Sequence, residues 1–349
     1  MGYIIEDKKL NILPVDGKEK KCVPVLLTPY KGGVPGMAIL LQSILDNSTE
    51  GYFYDIIAIH NREVTEQEQE RILDVFKEKA NFSIRFFDIH NYIMQNDFFC
   101  KQMKKRNSYI ATFYRLLIPE LLPEYEKVIY LDIDTIVVTD IGKLIEYDIS
   151  KVMIAGVRDI LGNRGYYSED GKTKVYRDKI LKLKYPDNYF NAGVLVLNIK
   201  AFRQEYTQEK WWKFVSSYKW KSHDQDVLNA VCNQKAFLLP YSWNFIGGRG
   251  VENELSDKDW GIILKAEAEP FIIHYSGRYK PWNYCTMQFF EVFWNYAKRS
   301  PFFEDIFNMI GDDQLENRII EKAENGALSI KVIRLILFKW FKHNWKYLF

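Results

Sequence analysis

Short apolar runs alternate with amphipathic stretches along most of this chain, and their spacing predicts an α/β fold. Cys22–Thr28 reads as a buried strand, and the turn Pro29-Tyr30-Lys31-Gly32-Gly33 leads into a helix running to Asn47. Tyr54–His60 is a second strand. Thr65 and Glu68 form a capping box, each side chain satisfying an orphan backbone N–H of the other, which opens a helix to about Lys79. Ser83–Ile89 is a third strand, and this βαβαβ order calls for a parallel sheet covered by helices. A helix over Ile110–Leu122, stopped by Pro123, delivers the chain to a strand at Val128–Asp132. Strands at Val152–Val157, Val194–Ile199 and Phe271–His274 and a helix at Gln225–Cys232 complete the body. The polar stretch Asp159–Asn188 reads as loop with short helix.

One run breaks the pattern. Tyr130-Leu131-Asp132-Ile133-Asp134-Thr135-Ile136-Val137-Val138 sets two carboxylates within an otherwise apolar, strand-like stretch. A period of two turns both to one face, where desolvated like charges repel unless a cation lies between them. Oxygen ligands suit Mg²⁺ or Mn²⁺, ions that commonly keep positions open for substrate phosphates. In an open α/β sheet ligands gather beyond the carboxyl ends of the strands, which is where these aspartates fall. A nucleotide-diphosphate site follows as the first functional expectation.

Three further segments are polar where a plain core would be apolar. Phe190-Asn191-Ala192-Gly193 places an amide and two small residues just ahead of a buried strand. His223-Asp224-Gln225-Asp226 opens a helix with several hydrogen-bonding side chains, and simple N-capping by Asp224 is the plainer account of it. His274-Tyr275-Ser276-Gly277-Arg278-Tyr279-Lys280-Pro281-Trp282 ends a strand with an imidazole, a glycine and a lysine. A lone histidine is usually a satisfied core residue. Here a metal held by two carboxylates would still take an imidazole, and Lys280 is near enough in sequence to meet phosphates on that metal.

Composition adds few constraints. The 349 residues suffice for one large α/β domain with appendages or for two modest domains, and a formal charge of +2 gives no reason to expect nucleic acid as a partner. Aromatic residues are abundant, as in chains that stack on sugars and also as in ordinary cores. Cys22, Cys100, Cys232 and Cys285 form no CxxC pair, which argues against a zinc ribbon or disulfide scaffold and for a reducing compartment. The charged first twenty residues do not read as a secretory signal, and no run of eighteen apolar residues occurs. A cytoplasmic protein is expected, peripheral at most to the inner face of the cell membrane. The segment suited to such contact is 330–349, with five Lys or Arg and no acid. As a helix it places Lys331, Arg334, Lys342 and Lys346 opposite Ile333, Ile336, Leu337, Trp340 and Tyr347, an amphipathic arrangement that suits an anionic membrane surface or, alternatively, docking on the body.

Taken together, LDID, FNAG, HDQD and HxxGxxKPW make the chain from about Val23 to about Trp282 resemble family 8 of the glycosyltransferases, retaining enzymes that include lipopolysaccharide galactosyl- and glucosyltransferases and, more distantly, glycogenin. The resemblance implies a GT-A fold, a Rossmann-like, mostly parallel sheet flanked by helices, that binds a UDP-sugar and Mn²⁺ (or Mg²⁺). It implies an extension over 1–21, a catalytic domain over 22–285 and a C-terminal helical region over 286–349. It makes Asp132, Asp134 and His274 metal ligands, with Asp132 also near the ribose, and gives the diphosphate to Gly277 and Lys280. Arg115, Asp159, Asn191, Asp224 and Gln225 would line the donor-sugar and acceptor region. Thr28 and Tyr30 stand on the nucleotide side, where family members usually carry an Asp-Asp-x-Tyr segment; this chain has Thr28-Pro29-Tyr30-Lys31-Gly32-Gly33 instead, leaving Tyr30 to stack on the base. The expected reaction moves glucose or galactose from UDP-glucose or UDP-galactose to a saccharide or glycolipid acceptor with net retention. Two other readings share some of these residues. Asp132-Ile133-Asp134-Thr135 matches the nucleophile motif of haloacid-dehalogenase-type phosphatases, and a catalytically inactive nucleotide-sugar-binding protein would keep the same pocket.

Overall fold

The computed structural model describes residues 3–6, 9–17, 19–105, 110–248, 250–277, 279–282 and 287–308; the basic segment 330–349 lies outside the described residues. Its strands are β1 (Tyr3–Glu6), β2 (Lys9–Ile12), β3 (Lys21–Leu27), β4 (Tyr52–His60), β5 (Phe82–Asp88), β6 (Lys127–Leu131), β7 (Thr135–Val137), β8 (Ile154–Arg158), β9 (Phe190–Asn198), β10 (Ala236–Leu239) and β11 (Ile272–His274). Seven form the central sheet in the order β10-β8-β9-β6-β3-β4-β5. All its pairings are parallel except the two made by β9, which runs against both β6 and β8. The chain winds outward from β3 in both directions, so the β3/β6 boundary is the switch point where such sheets open a crevice.

The chain divides into two units, residues 1–274 and 275–349, and among the described residues every strand belongs to the first. In the second, helices at Phe290–Ala297 and Phe303–Asn308 are described. There Tyr275 Oη donates to the Phe289 carbonyl and Trp294 Nε1 to that of Pro281. Among the described residues no helix is long and apolar enough to cross a membrane.

Apolar runs without alternation became strands covered on both faces, as parallel sheets require. Residues Phe53–His60 of β4 and every residue of β9 up to Leu197 are buried. The helix Val34–Asn47 is buried from Val34 to Ile44 and is therefore apolar nearly all round. Its Ser43 Oγ accepts from Val137 N of β7, and Asn47 Nδ2 donates to the Val137 carbonyl. The capping box at Thr65 and Glu68 forms as expected, on a helix that closes at Phe76 rather than Lys79.

Three expectations need correction. The two aspartates do not lie within a strand: β6 ends at Leu131, Asp132-Ile133-Asp134 is a tight turn, and Thr135 starts β7. The turn, not a period of two, directs the carboxylates. Phe190–Gly193 lies inside β9 rather than ahead of it. The stretch after Ile110 is a 3₁₀ segment to Leu117 followed by one α-turn, Ile118–Leu121, because Pro119 lacks the N–H a continuous helix needs. The extension over 1–21 contains the β1–β2 hairpin, with Ile12 fully buried in the main core.

That hairpin is tied down by a buried ion pair. Arg85 grips Asp55 through both carboxylate oxygens, at 3.1 and 2.8 Å, and its other terminal nitrogen donates to the Leu13 carbonyl. Tyr125 Oη donates to Asp55 Oδ2 at 2.6 Å. Asp55 is fully buried, and the desolvation that raises its pKa is opposed by Arg85. Removing one partner of such a pair strands the other charge. Asp55→Ala should therefore destabilise the fold by about 3–5 kcal/mol in a denaturant titration; a loss below about 1 kcal/mol would mean that the pair behaves like an exposed one.

Candidate active site

The antiparallel direction of β9 assembles the site. Its first residues lie beside the carboxyl end of β6, with Leu131 opposite Val194 and Asp132 N donating to the Gly193 carbonyl at 2.7 Å. On its other side β9 slips register. Gly156 of β8 pairs with Leu195 but Val157 with Asn191, so residues 192–194 bulge out of that ladder. Buried backbone groups left without a strand partner need another one, and side chains supply it. Asn229 clamps Phe190 from both sides, with Oδ1 accepting from its N–H and Nδ2 donating to its carbonyl. Gln225 Oε1 accepts from Ala192 N, and Asn191 Oδ1 from Gly193 N. Arg115 donates to the Ala192 carbonyl.

These backbone donors fix the polarity of each amide. Because Gly193 N–H points at Asn191 Oδ1, the group of Asn244 that meets the same oxygen at 2.8 Å is its Nδ2. Asn244 Oδ1 then faces His274 Nδ1 at 2.8 Å, which makes Nδ1 the donor. The other ring nitrogen, Nε2, is turned to the carboxylates, 3.3 Å from Asp134 Oδ1 and 3.8 Å from Asp132 Oδ2. His274 and Asn244 are buried, whereas the two aspartates are partly open to solvent. Gly193 makes the convergence sterically feasible: a β-carbon there would overlap the imidazole, lying 2.7 Å from Nδ1 and 2.8 Å from Asp132 Oδ2.

Asp132, Asp134 and His274 each offer one ligand atom, and all three atoms lie within 4.8 Å of one another. The donor set fits Mn²⁺ or Mg²⁺: two carboxylates, and an imidazole whose distal N–H is held by an amide carbonyl, as metal-binding histidines usually are. The outer oxygen of Asp132 is already engaged. Its Oδ1 accepts from Arg115 at 2.7 Å and from Tyr130 Oη at 2.8 Å, leaving Oδ2 toward the imidazole.

Behind the carboxylates sits a buried charge network. Arg115, 5 % exposed, lies 4.1 Å above the Tyr130 ring and bridges Asp132 to Asp224, with Nε 2.9 Å from Asp224 Oδ2. That N–H is directed to the Thr112 carbonyl, so the Asp224 contact is one of charge more than of hydrogen bonding, and Asp224 Oδ2 is left without a hydrogen-bond donor. Burial works against the charge of Arg115, but Asp132 and Asp224 outweigh it and raise its pKa. Gln225 spans the next step: with Oε1 committed to Ala192, its Nε2 donates to Asp159 Oδ2 at 2.9 Å, while Asp159 Oδ1 caps a short helix through Gly162 N. On the far side, Thr28 Oγ1 meets Tyr130 Oη at 2.8 Å, linking the ends of β3 and β6. Tyr30 is 41 % exposed; partial burial and the charges of Asp134 and Asp132 push its phenol up to about 12.

Ten of the twelve residues singled out in the sequence thus meet in the first unit: Thr28, Tyr30, Arg115, Asp132, Asp134, Asp159, Asn191, Asp224, Gln225 and His274. Gly277 and Lys280 belong to the second, where Gly277 holds a left-handed φ of +84° and Lys280 Nζ donates to the Tyr275 carbonyl at 2.6 Å. Asp226 of HDQD has a different environment. It is buried and accepts from Tyr176, Tyr189 and the Ser222 N–H, which anchors the start of the helix His223–Cys232. Two contributors escaped the sequence reading. Tyr130 is apolar in pattern and polar in use, and Asn244 carries no local signal beyond an amide set between Trp243 and Phe245.

Known proteins resemble this chain in both sequence and fold. The family model "Glycosyl transferase family 8" matches residues 24–286. General stress protein A of Bacillus subtilis is 28 % identical over 187 residues, 50 % of this chain and 60 % of that protein. Lipopolysaccharide 1,2-glucosyltransferase of Escherichia coli is 24 % identical over 272 residues, 74 % of each. The apo structure of the bifunctional glycosyltransferase WbbM superposes with a TM-score of 0.74 at 26 % identity, covering 86 % of this chain and 54 % of that one. The chain thus spans little more than half of two of these relatives, and its central sheet is that of the GT-A glycosyltransferases. A family match running from β3 to beyond the end of the first unit, and taking in every site residue named above, shows that the chain belongs to glycosyl transferase family 8.

Proposed function

We propose that this chain is a retaining, Mn²⁺-dependent hexosyltransferase that moves glucose or galactose from its UDP-sugar to a saccharide or glycolipid acceptor. The observation that carries this reading is the imidazole of His274, held at Nδ1 by Asn244 with Nε2 facing two carboxylates. Asp132, Asp134 and His274 would hold the cation, which when bound supplies positive charge to the diphosphate of the departing UDP. Family resemblance adds Gly277 and Lys280 on that diphosphate, with Thr28 and Tyr30 toward the nucleoside.

Gln225 supports front-face transfer. Its carbonyl oxygen is occupied by the Ala192 N–H and its amide nitrogen donates to Asp159, so this side chain positions a sugar rather than attacking one. The acceptor hydroxyl then forms the new bond at the anomeric carbon on the face from which UDP leaves, and its proton passes to the leaving phosphate oxygen. Arg115 and Asp224 hold the floor of the pocket by charge. Asp134→Asn removes a ligand from a partly open turn, so it should cut Mn²⁺-dependent UDP release from UDP-glucose or UDP-galactose by roughly a hundredfold or more while leaving the melting temperature almost unchanged. Full activity in that variant would overturn the metal assignment.

Asn244→Ala frees the imidazole to rotate and exchange tautomers. It should weaken Mn²⁺ binding by roughly 10- to 100-fold in titration calorimetry, and unchanged affinity would remove Asn244 from the design. Asp224 gives a test through acidity. Burial, opposed by Arg115 and reinforced by Asp132, raises its carboxyl to about 6. The folded protein therefore binds this proton more tightly than the unfolded chain does. The stabilisation that follows is complete below the ordinary carboxylate range and is lost as pH rises to about 6. Asp224→Asn carries no such proton, so the melting temperature of the variant minus that of the wild type should grow as pH rises through this window; a constant difference would show that Asp224 titrates normally.

A further inference from the structure

In the excursion between β8 and β9 and the stretch before the helix His223–Cys232, residues 172–184 and 213–221 carry eight exposed lysines against one exposed carboxylate, Asp178, in a chain whose formal net charge is only +2. Lys172 pairs with Asp170 and Lys174 with Asp178. The other six, Lys179, Lys182, Lys184, Lys213, Lys219 and Lys221, form no ion pair among the described residues. Lys182 also holds a left-handed φ of +53°, a backbone that favours glycine, and still projects a charged side chain into solvent.

The two segments form one surface. Lys221 N donates to Tyr176 Oη, its ammonium lies 4.4 Å over the Tyr176 ring, and the rings of Tyr176 and Tyr218 are 6.2 Å apart. Between the segments runs a shallow groove lined by Lys179, Ile180, Lys182, Tyr218 and Trp220. Four large apolar side chains stand in water among these lysines: Val175 at 53 % exposure, Ile180 at 37 %, Tyr185 at 45 % and Tyr218 at 43 %. The backbone of Tyr185 is pinned by Asn233 on both its N–H and its carbonyl, so its ring is presented from a fixed base.

We propose that this face docks the protein on an anionic phospholipid surface, with the unpaired lysines meeting headgroup phosphates and Ile180, Tyr185 and Tyr218 entering the interface. Unpaired ammonium groups ringing exposed aliphatic and aromatic side chains are the composition that binds there. Nucleic acid fits less well: the cations are all lysines, the one arginine of the segment, Arg177, is buried, and Val175 and Ile180 offer no ring to stack on a base. The face is also joined to the catalytic side. Tyr176 donates to Asp226 in the first turn of the helix His223–Cys232, the helix that presents Asp224 and Gln225. Docking here would hold that end of the pocket at a lipid surface. The inference is independent of the donor sugar and of the metal.

The test is co-sedimentation of the full chain with vesicles of phosphatidylcholine alone and of phosphatidylcholine with phosphatidylglycerol. Binding is expected only with the anionic lipid and should weaken with salt. At about fivefold per lysine, the combined variant K179Q/K182Q/K184Q should partition about a hundredfold less, with its melting temperature and its activity on a soluble acceptor retained because all three side chains are exposed. Tyr218→Ser should weaken binding to anionic vesicles at high salt as well as low. Unchanged partitioning of the triple variant would overturn the proposal and leave other segments as the membrane contact. Equal binding to neutral vesicles, or tighter binding to single-stranded DNA than to anionic vesicles, would overturn it too.

Discussion

Two carboxylates and an imidazole converge on one small space, and the rest of the architecture follows from making that tolerable. Asp132 and Asp134 project from a three-residue turn, so their separation is set by backbone rather than by flexible stems. Part of the negative charge is met from behind by Arg115 and Tyr130, which take the outer oxygen of Asp132. What remains faces His274. An imidazole free to turn would relieve the crowding by rotating away; this one is held by an amide whose own orientation is fixed, through a second amide, by a backbone N–H of Gly193. A fixed repulsive cluster of this kind is a standing invitation to a divalent cation.

The same residues solve a second problem. Reversing β9 puts its first residues next to the carboxyl end of β6, and the slipped register that shapes them strips backbone groups of their ladder partners. Asn191, Gln225, Asn229 and Arg115 repair the loss. Three of these four also orient the chemistry: Asn191 through Asn244, Gln225 through Asp159, and Arg115 through Asp132 and Asp224. Structural satisfaction and functional placement are not separable in this part of the molecule, so variants here need a binding or spectroscopic readout alongside activity.

Much of this was legible in the amino-acid sequence. Strands β3, β4 and β6, the half-buried edge strand β5 and the two helices between β3, β4 and β5 announce themselves by apolar-rich runs, a capping box and Gly/Pro turns. The aspartates stand out because nothing apolar explains them. What stayed hidden depends on three-dimensional pairing. No local feature says that β9 runs antiparallel, because strand direction is set by which neighbours it joins. The helices Ile199–Glu205, Gln208–Val215 and Asp257–Ala268 were missed, since each has a mixed surface and takes its stability from docking. Asp132 and Asp134 follow the carboxyl end of β6 as the pattern suggests, but a turn and not a pleat aims them. Asn244 is invisible in one dimension: its value lies wholly in which atoms of Asn191 and His274 it touches.

The reversed strand also bears on how the molecule comes together. β8 and β6 do not pair with each other; between them lies β9, which pairs with both, is synthesised after both and must slide between them against their direction. Insertion of this one element joins the β6 and β8 sides of the central sheet and in the same act brings Gly193 to Asp132 and the Asn191–Asn244 bracket to His274. Loop-closure entropy makes such a step late and slow relative to the local β3-β4-β5 winding. A nascent or partly folded chain therefore holds its aspartates without their imidazole geometry, and capture of the proposed cation would report completed folding.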